Sequence, residues 1–230
     1  MISNDLHSFF GSLPVNREVS KKGFKKYPRV FYIGKGKTGS SSLMKGIDEN
    51  VAHWHSTWYY EYVHATSALT ERNLTIYDFL EWIHINIHPI QVIECYRDPI
   101  AQYISALHQW ESDINFDKLA NMLDVRYPEI TFQKEIEKPD SPLKVIYLKT
   151  EDSANWSNIL ADHNINYTSN VSLSNRNEHY FTNLKKIVHY KVFSQRKLDY
   201  IYSNDKVVQL YSPKEIEKFK LKWLWKEETY

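Results

Sequence analysis

Apolar and polar positions along this 230-residue chain alternate between short unbroken apolar runs and longer stretches with helical spacing. Val30-Phe31-Tyr32-Ile33 is a β-favouring run bounded by Pro28 and Gly34, the pattern of a strand buried on both faces. From Ser40 the spacing changes. Leu43, Met44 and Ile47 fall at i, i+1 and i+4, which predicts a helix that opens in the serine run and fades by Asn50. Val51 to Ser56 reads as a second strand. Ile76 to Ile87 reads as a helix with Phe79, Leu80, Ile83 and Ile87 on one side and Pro89 as its stop. Gln91 to Tyr96 is a third strand, followed at once by Asp98-Pro99, an N-cap residue with proline at the first helical position. Ile100, Tyr103, Ile104 and Leu107 carry that helix onward.

Leu143 to Leu148 is a fourth strand, reached through the proline-containing linker Lys138 to Pro142, and Trp156 to Asp162 is a short helix. The last third reads as helical from about Phe181 to Tyr202 and again from Pro213, where Ser212 and Glu215 have capping-box spacing. Strands alternating with helices predict an α/β fold of three layers, a central parallel sheet flanked by helices, with ligands at the carboxyl ends of the strands. The length fits a single domain over residues 1–230, with residues 1–27 as a basic N-terminal lead-in.

Composition narrows the function classes. Twenty-nine Lys and Arg against twenty-eight Asp and Glu leave a net charge of +1, which disfavours a nucleic-acid or membrane-surface binder whose whole domain is basic. Seven Trp and seventeen Tyr supply bulk for a substantial core. No run approaches the roughly 18–20 apolar residues that span a bilayer. The one cysteine, Cys95, has no internal disulfide partner and, flanked by apolar strand residues, reads as inert. Met1 to Ser20 lacks the basic flank and apolar stretch of a secretory signal, so a reducing, cytoplasm-like compartment is expected. Charge is nonetheless uneven. No acidic residue lies between Glu18 and Asp48, whereas Lys21, Lys22, Lys25, Lys26, Arg29, Lys35, Lys37 and Lys45 do.

Lys35 and Lys37 stand inside Gly34-Lys35-Gly36-Lys37-Thr38-Gly39-Ser40-Ser41-Ser42, which joins the first strand to the first helix. Glycines let backbone approach an anion closely, the first N–H groups of a helix point at it, and hydroxyls and an ammonium complete a cradle. The segment departs from the Walker A pattern, which needs Gly-Lys-Ser/Thr where this chain has Gly39-Ser40. After the third strand, Arg97 can hold a phosphate through two parallel hydrogen bonds. Ser105, seven residues beyond Asp98, returns to the same side of the helix after about two turns. Read singly, each motif also fits a plain turn or a carboxylate-paired arginine.

Together they point to a family. Gly36-Lys37-Thr38-Gly39-Ser40-Ser41-Ser42-Leu43 resembles the sulfotransferase loop that receives the 5′-phosphosulfate of 3′-phosphoadenylyl sulfate (PAPS). Arg97-Asp98-Pro99 with Ser105 resembles the family's site for the donor's 3′-phosphate. The carbohydrate sulfotransferases are most similar, and Tyr211-Ser212-Pro213-Lys214-Glu215 resembles a segment near their end. Gly36 departs from the proline common at that position. The resemblance implies a P-loop NTPase-like sulfotransferase fold and transfer of a sulfuryl group from PAPS to an acceptor hydroxyl, with a glycan as the preferred acceptor and no metal. It implies that Lys37 neutralises the leaving oxygen and that Thr38, Gly39, Ser40, Ser41 and Ser42 hold the phosphosulfate.

A general base is also needed. His53 and His55, at strand spacing in Val51 to Ser56, share one face, and His55 is preferred to His53, although each also fits a structural role. Glu61 and Glu94 are fallback bases, Glu151 and Asp152 read as caps, and Arg176 as a second 3′-phosphate contact or a solvated loop residue. A phosphotransferase using a nucleoside triphosphate with Mg²⁺, and a nucleotide-binding module without turnover, are the rival readings.

Overall fold

The computed structural model describes residues 5, 8–10, 29–34, 39–47, 51–55, 69, 71–110, 114–130, 141–168, 178–190 and 192–224. In chain order its elements are β1 (Val30–Gly34), α1 (Ser40–Gly46), β2 (Val51–His55), α2 (Ile76–Asn86), β3 (Gln91–Tyr96), α3 (Pro99–Trp110), α4 (Phe116–Val125), β4 (Lys144–Lys149), α5 (Trp156–Ala161), α6 (Glu178–Tyr190), α7 (Gln195–Tyr202), α8 (Asp205–Leu210) and α9 (Pro213–Trp223). Two compact units divide the chain, Met1–Tyr96 with Glu135–Ser172, and Arg97–Lys134 with Leu173–Tyr230. No helix among the described residues is long and apolar enough to cross a membrane.

The first unit is an α/β layer structure. Its sheet has the order β2-β1-β3-β4, and every neighbouring pair is parallel. Parallel neighbours need crossovers, which bring helices over the faces and leave the strands without a wet side. That is why Val30 to Ile33 and Gln91 to Tyr96 read as apolar runs. The register sets Phe31 beside Val92 and Val145 on one face and Tyr32 beside Ile93 and Ile146 on the other. Phe31, Ile33 and Val92 pack with Tyr77, Phe79, Leu80, Trp82 and Ile83 of α2. Tyr32, Ile93, Cys95, Ile146 and Leu148 pack with Leu43 of α1 and with Trp156 and Leu160 of α5. Each fully buried side chain such as Ile93 contributes roughly 1.5–3 kcal/mol. A one-residue slip of β1 exchanges its two faces between these cores, so the register is strongly specified.

Both ends of α2 are fastened locally. The Thr75 hydroxyl accepts the Asp78 amide at 3.2 Å while the Asp78 carboxylate accepts the Thr75 amide at 2.6 Å. Beyond the helix, the Ile90 amide donates to His84 Nδ1 at 3.1 Å, which joins the end of α2 to the start of β3. α1 opens in the serine run and ends at Gly46, before Asn50, in keeping with its sequence spacing. The cause of that ending lies after it. Ile47 turns extended to bridge Tyr167, and the Gly46 carbonyl accepts the Thr168 amide at 2.7 Å. A Cβ on Gly46 would stand 2.3 Å from the Tyr167 ring, so only glycine fits that approach.

The second unit is helical among its described residues. Buried Ile100, Ile104 and Leu107 form the apolar stripe of α3, and Leu119 and Leu123 that of α4. The helix anticipated from Phe181 to Tyr202 is two helices, α6 and α7. Phe193, fully buried, bridges Leu224 in a parallel pairing, and Ser194 then adopts an extended N-cap conformation at the start of α7. At α9 the capping box forms as spaced, with Glu215 N to Ser212 Oγ at 3.3 Å and Ser212 N to Glu215 Oε2 at 2.8 Å.

Cys95 is 3% exposed, and burial pushes its thiol far above the ordinary range, against a smaller lowering by a hydrogen bond with Tyr32. In the folded chain the thiol therefore keeps its proton, whereas the unfolded chain loses it as pH passes about 8.5. Unfolding is favoured accordingly, by up to about 1.4 kcal/mol for each pH unit above that point. Urea denaturation between pH 8 and 10 is expected to show a steeper loss of stability in the parent than in Cys95→Ala.

Candidate functional site

Strand order places a particular edge at the centre of interest. The chain passes from β1 outward to β2 and then returns across β1 to β3, so the direction of winding reverses between β1 and β3. In open parallel sheets, ligands bind outside the carboxyl ends of the strands at such a reversal. Ile33 stands opposite Glu94 there, one residue before Gly34, and β3 ends two residues later at Tyr96. Both segments singled out for anion binding follow directly, the glycine-rich loop after β1 and Arg97-Asp98-Pro99 after β3.

Lys37 and Thr38 lie outside the described residues. The structure resumes at Gly39, whose φ of 89° is left-handed, and α1 opens at Ser40. The Gly39 carbonyl accepts the amides of both Ser42 and Leu43 at 3.0 Å. Ser40 and Ser41 thus supply the first N–H groups of a helix, which have no acceptor within it and carry its positive dipole end. The first turn of α1 carries no acidic residue, and Lys45 sits in the last turn. Ser42 is half-buried. The side chains of Ser40 and Ser41 are outside the described part of the structure.

Gly39 is constrained from a second side. A Cβ there would lie 2.8 Å from the Trp156 indole, which is 1% exposed and fixed by its N–H donating to the Lys149 carbonyl at 2.8 Å. In the same turn after β4, the Thr150 hydroxyl donates to the Tyr96 carbonyl at 3.0 Å. Thr150 therefore bonds the last residue of β3, and Trp156 packs against Gly39 of the glycine-rich loop. Neither stands out in the sequence as a site residue. Glu151 and Asp152 are exposed in the first turn of the 3-10 segment Thr150–Asn155, where Asp152 Oδ2 accepts from Asn155 Nδ2 at 3.5 Å.

Glu94 is 2% exposed, and its carboxylate accepts a hydrogen bond from the Tyr96 hydroxyl. His53 and His55 are in β2 with their backbone opposite Tyr32 and Gly34 respectively, so the His55 backbone adjoins the start of the loop. Their side chains, like Glu61 and Arg176, lie outside the described part of the structure. Among the described residues no three His, Cys, Asp or Glu side chains gather as a metal-ion ligand set.

In the second unit, Arg97 and Ser105 are 9% and 8% exposed, too enclosed for solvated surface groups. Asp98 between them is 1% exposed, and its carboxylate has several donors. Oδ1 accepts the Ile100 amide at 3.1 Å, the expected N-cap bond, and the Tyr202 hydroxyl at 2.7 Å. Oδ2 accepts the Trp223 indole N–H at 2.8 Å and has the Lys222 ammonium at 3.6 Å. Burial, and then the Asp98 charge, raise the Tyr202 hydroxyl well above its ordinary range, so it stays a donor. The capping role was legible from Asp98-Pro99, but Tyr202 and Trp223 were not, because their partner is more than a hundred residues away.

Gly39→Ala is expected to lower stability by about 2–4 kcal/mol, since left-handed backbone and an overpacked indole contact act together. Urea denaturation reads this directly. No family model, curated protein or solved structure matches this chain.

Proposed function

We propose that the chain is a PAPS-dependent sulfotransferase that moves a sulfuryl group to an acceptor hydroxyl, with a glycan as the preferred acceptor. The observation that carries this reading is the position of the two motifs, each directly after one of the two strands that flank the winding reversal. A P-loop-like sulfotransferase fold is the finer form of the same proposal, and the parallel sheet with helices on both faces supports it.

In this reading the loop from Lys37 to Ser42 holds the 5′-phosphosulfate through backbone N–H groups and hydroxyls. Arg97 and Ser105 take the 3′-phosphate. The acceptor oxygen forms its bond to sulfur as the bond from sulfur to the bridging phosphate oxygen breaks, and adenosine 3′,5′-bisphosphate leaves. Lys37 neutralises the charge growing on that leaving oxygen, an electrostatic contribution like the one that dominates phosphoryl transfer. His55, whose backbone adjoins the start of the loop, accepts the acceptor's proton, with His53 as the next candidate.

Thermal-shift titration is expected to show stabilisation by adenosine 3′,5′-bisphosphate without metal and none by ATP with Mg²⁺. Lys37→Ala and Arg97→Ala proteins that fold normally are expected to lose that stabilisation, and equal binding by either variant overturns the site. With radiolabelled donor and a panel of glycans, lipids and small alcohols, His55→Ala is expected to reduce turnover by about a hundredfold or more. Unchanged turnover moves the base to His53 or an acidic residue.

A further inference from the structure

We infer that Asp98, Tyr202 and Trp223 are positioning residues for Arg97, so that helices α7 and α9 set how tightly the 3′-phosphate is recognised. The inference rests on the sulfotransferase reading and deepens it.

Arg97 is one peptide bond from a residue held at nearly every available atom. The Asp98 carbonyl accepts the Gln102 amide at 2.9 Å, committing the backbone to α3. Its carboxylate caps the helix through Ile100 and takes the Tyr202 and Trp223 donors from α7 and α9. Pro99 fixes the following φ. Capping alone needs one oxygen and one amide, and an exposed aspartate meets that need. A carboxylate withdrawn to 1% exposure and given an indole N–H and a phenol besides is more than a cap requires.

The surplus has a direction. A guanidinium recognises phosphate bidentately only when its own origin is fixed, since displacement of about 1 Å costs a large part of the gain from orientation. The anchors are themselves braced. Leu224, directly after Trp223, bridges Phe193 just before α7, and Phe219 of α9 stacks on Tyr202 with ring centroids 6.1 Å apart. The Lys222 ammonium lies over the Trp223 ring at 4.2 Å. α7 and α9 are therefore packed on each other, and what they hold between them is the residue after Arg97.

The test compares two ligands that differ only in the group assigned to Arg97. Affinities for adenosine 3′,5′-bisphosphate and adenosine 5′-phosphate are measured for the parent, Tyr202→Phe, Trp223→Phe and a packing control, Ile187→Val in α6, with near-UV circular dichroism to verify folding. Both aromatic variants are expected to bind the bisphosphate about tenfold more weakly while binding the monophosphate as the parent does. With donor varied in turnover, KM is expected to rise at unchanged kcat. Equal weakening for both ligands shows a structural role alone and overturns the inference, as does parent-like binding of the bisphosphate. A parent that does not prefer the bisphosphate overturns the sulfotransferase reading itself. If Trp223→Phe fails to fold, Tyr202→Phe, which deletes one hydroxyl, makes the same comparison.

Discussion

The pairing of β1 with β3 is the contact on which the first unit depends. Val30 to Ile33 and Gln91 to Glu94 lie side by side in parallel, buried beneath helices on both faces. This pairing joins the two central strands, divides the core into its two layers, and brings the carboxyl ends of two strands to one edge. Were β3 paired to β2 instead, winding would run in one direction and no reversal would exist. The chemistry proposed for the loop and for Arg97 presupposes this one adjacency.

Around that edge, side chains far apart in sequence take on fixing tasks that no local motif announces. Trp156 limits Gly39 from below, and Thr150 ties down the carbonyl that ends β3. In the second unit a single carboxylate gathers donors from two helices. These contacts share a logic, because each fixes backbone next to a residue that the proposed function gives to a phosphate or phosphosulfate. Precision at an anion site depends on such supports as much as on the charged groups.

Much of the fold was legible in the sequence for a physical reason. Central strands covered on both faces are mostly apolar, so β1 and β3 announce themselves, the edge strand β4 does so through its Val145-Ile146-Tyr147-Leu148 run, and the caps at Asp98 and Ser212 depend only on residues two or three positions away. Where the reading went astray, long-range contacts decided. The span from Phe181 to Tyr202 is two helices because Phe193 pairs with Leu224 between them, and what sets the end of α1 at Gly46 is the capture of Gly46 and Ile47 by Thr168 and Tyr167. α4, with Leu119 and Leu123 on one face and an Asn115 cap accepting the Lys118 amide, carries a recognisable signal that the reading passed over, as it did α8. Of the candidate site, the strand ending at Gly34 and the helix opening at Ser40 were legible, whereas the burial of Arg97 and Ser105 was not. Trp156, Thr150, Tyr202 and Trp223 were not, because spacing along the chain says nothing of which distant indole or hydroxyl arrives.

The interleaving of the two units has a kinetic consequence. β4 completes the sheet by pairing Lys144 to Lys149 with β3, yet the whole segment Arg97–Lys134 of the other unit intervenes between those strands. A ribosome must therefore extrude part of the helical unit before the sheet gains its last neighbour, while that unit awaits Leu173–Tyr230. Neither unit can finish as an autonomous early product. Late, non-local closure of this kind slows folding and leaves the outer edge of β3 open to misassociation meanwhile.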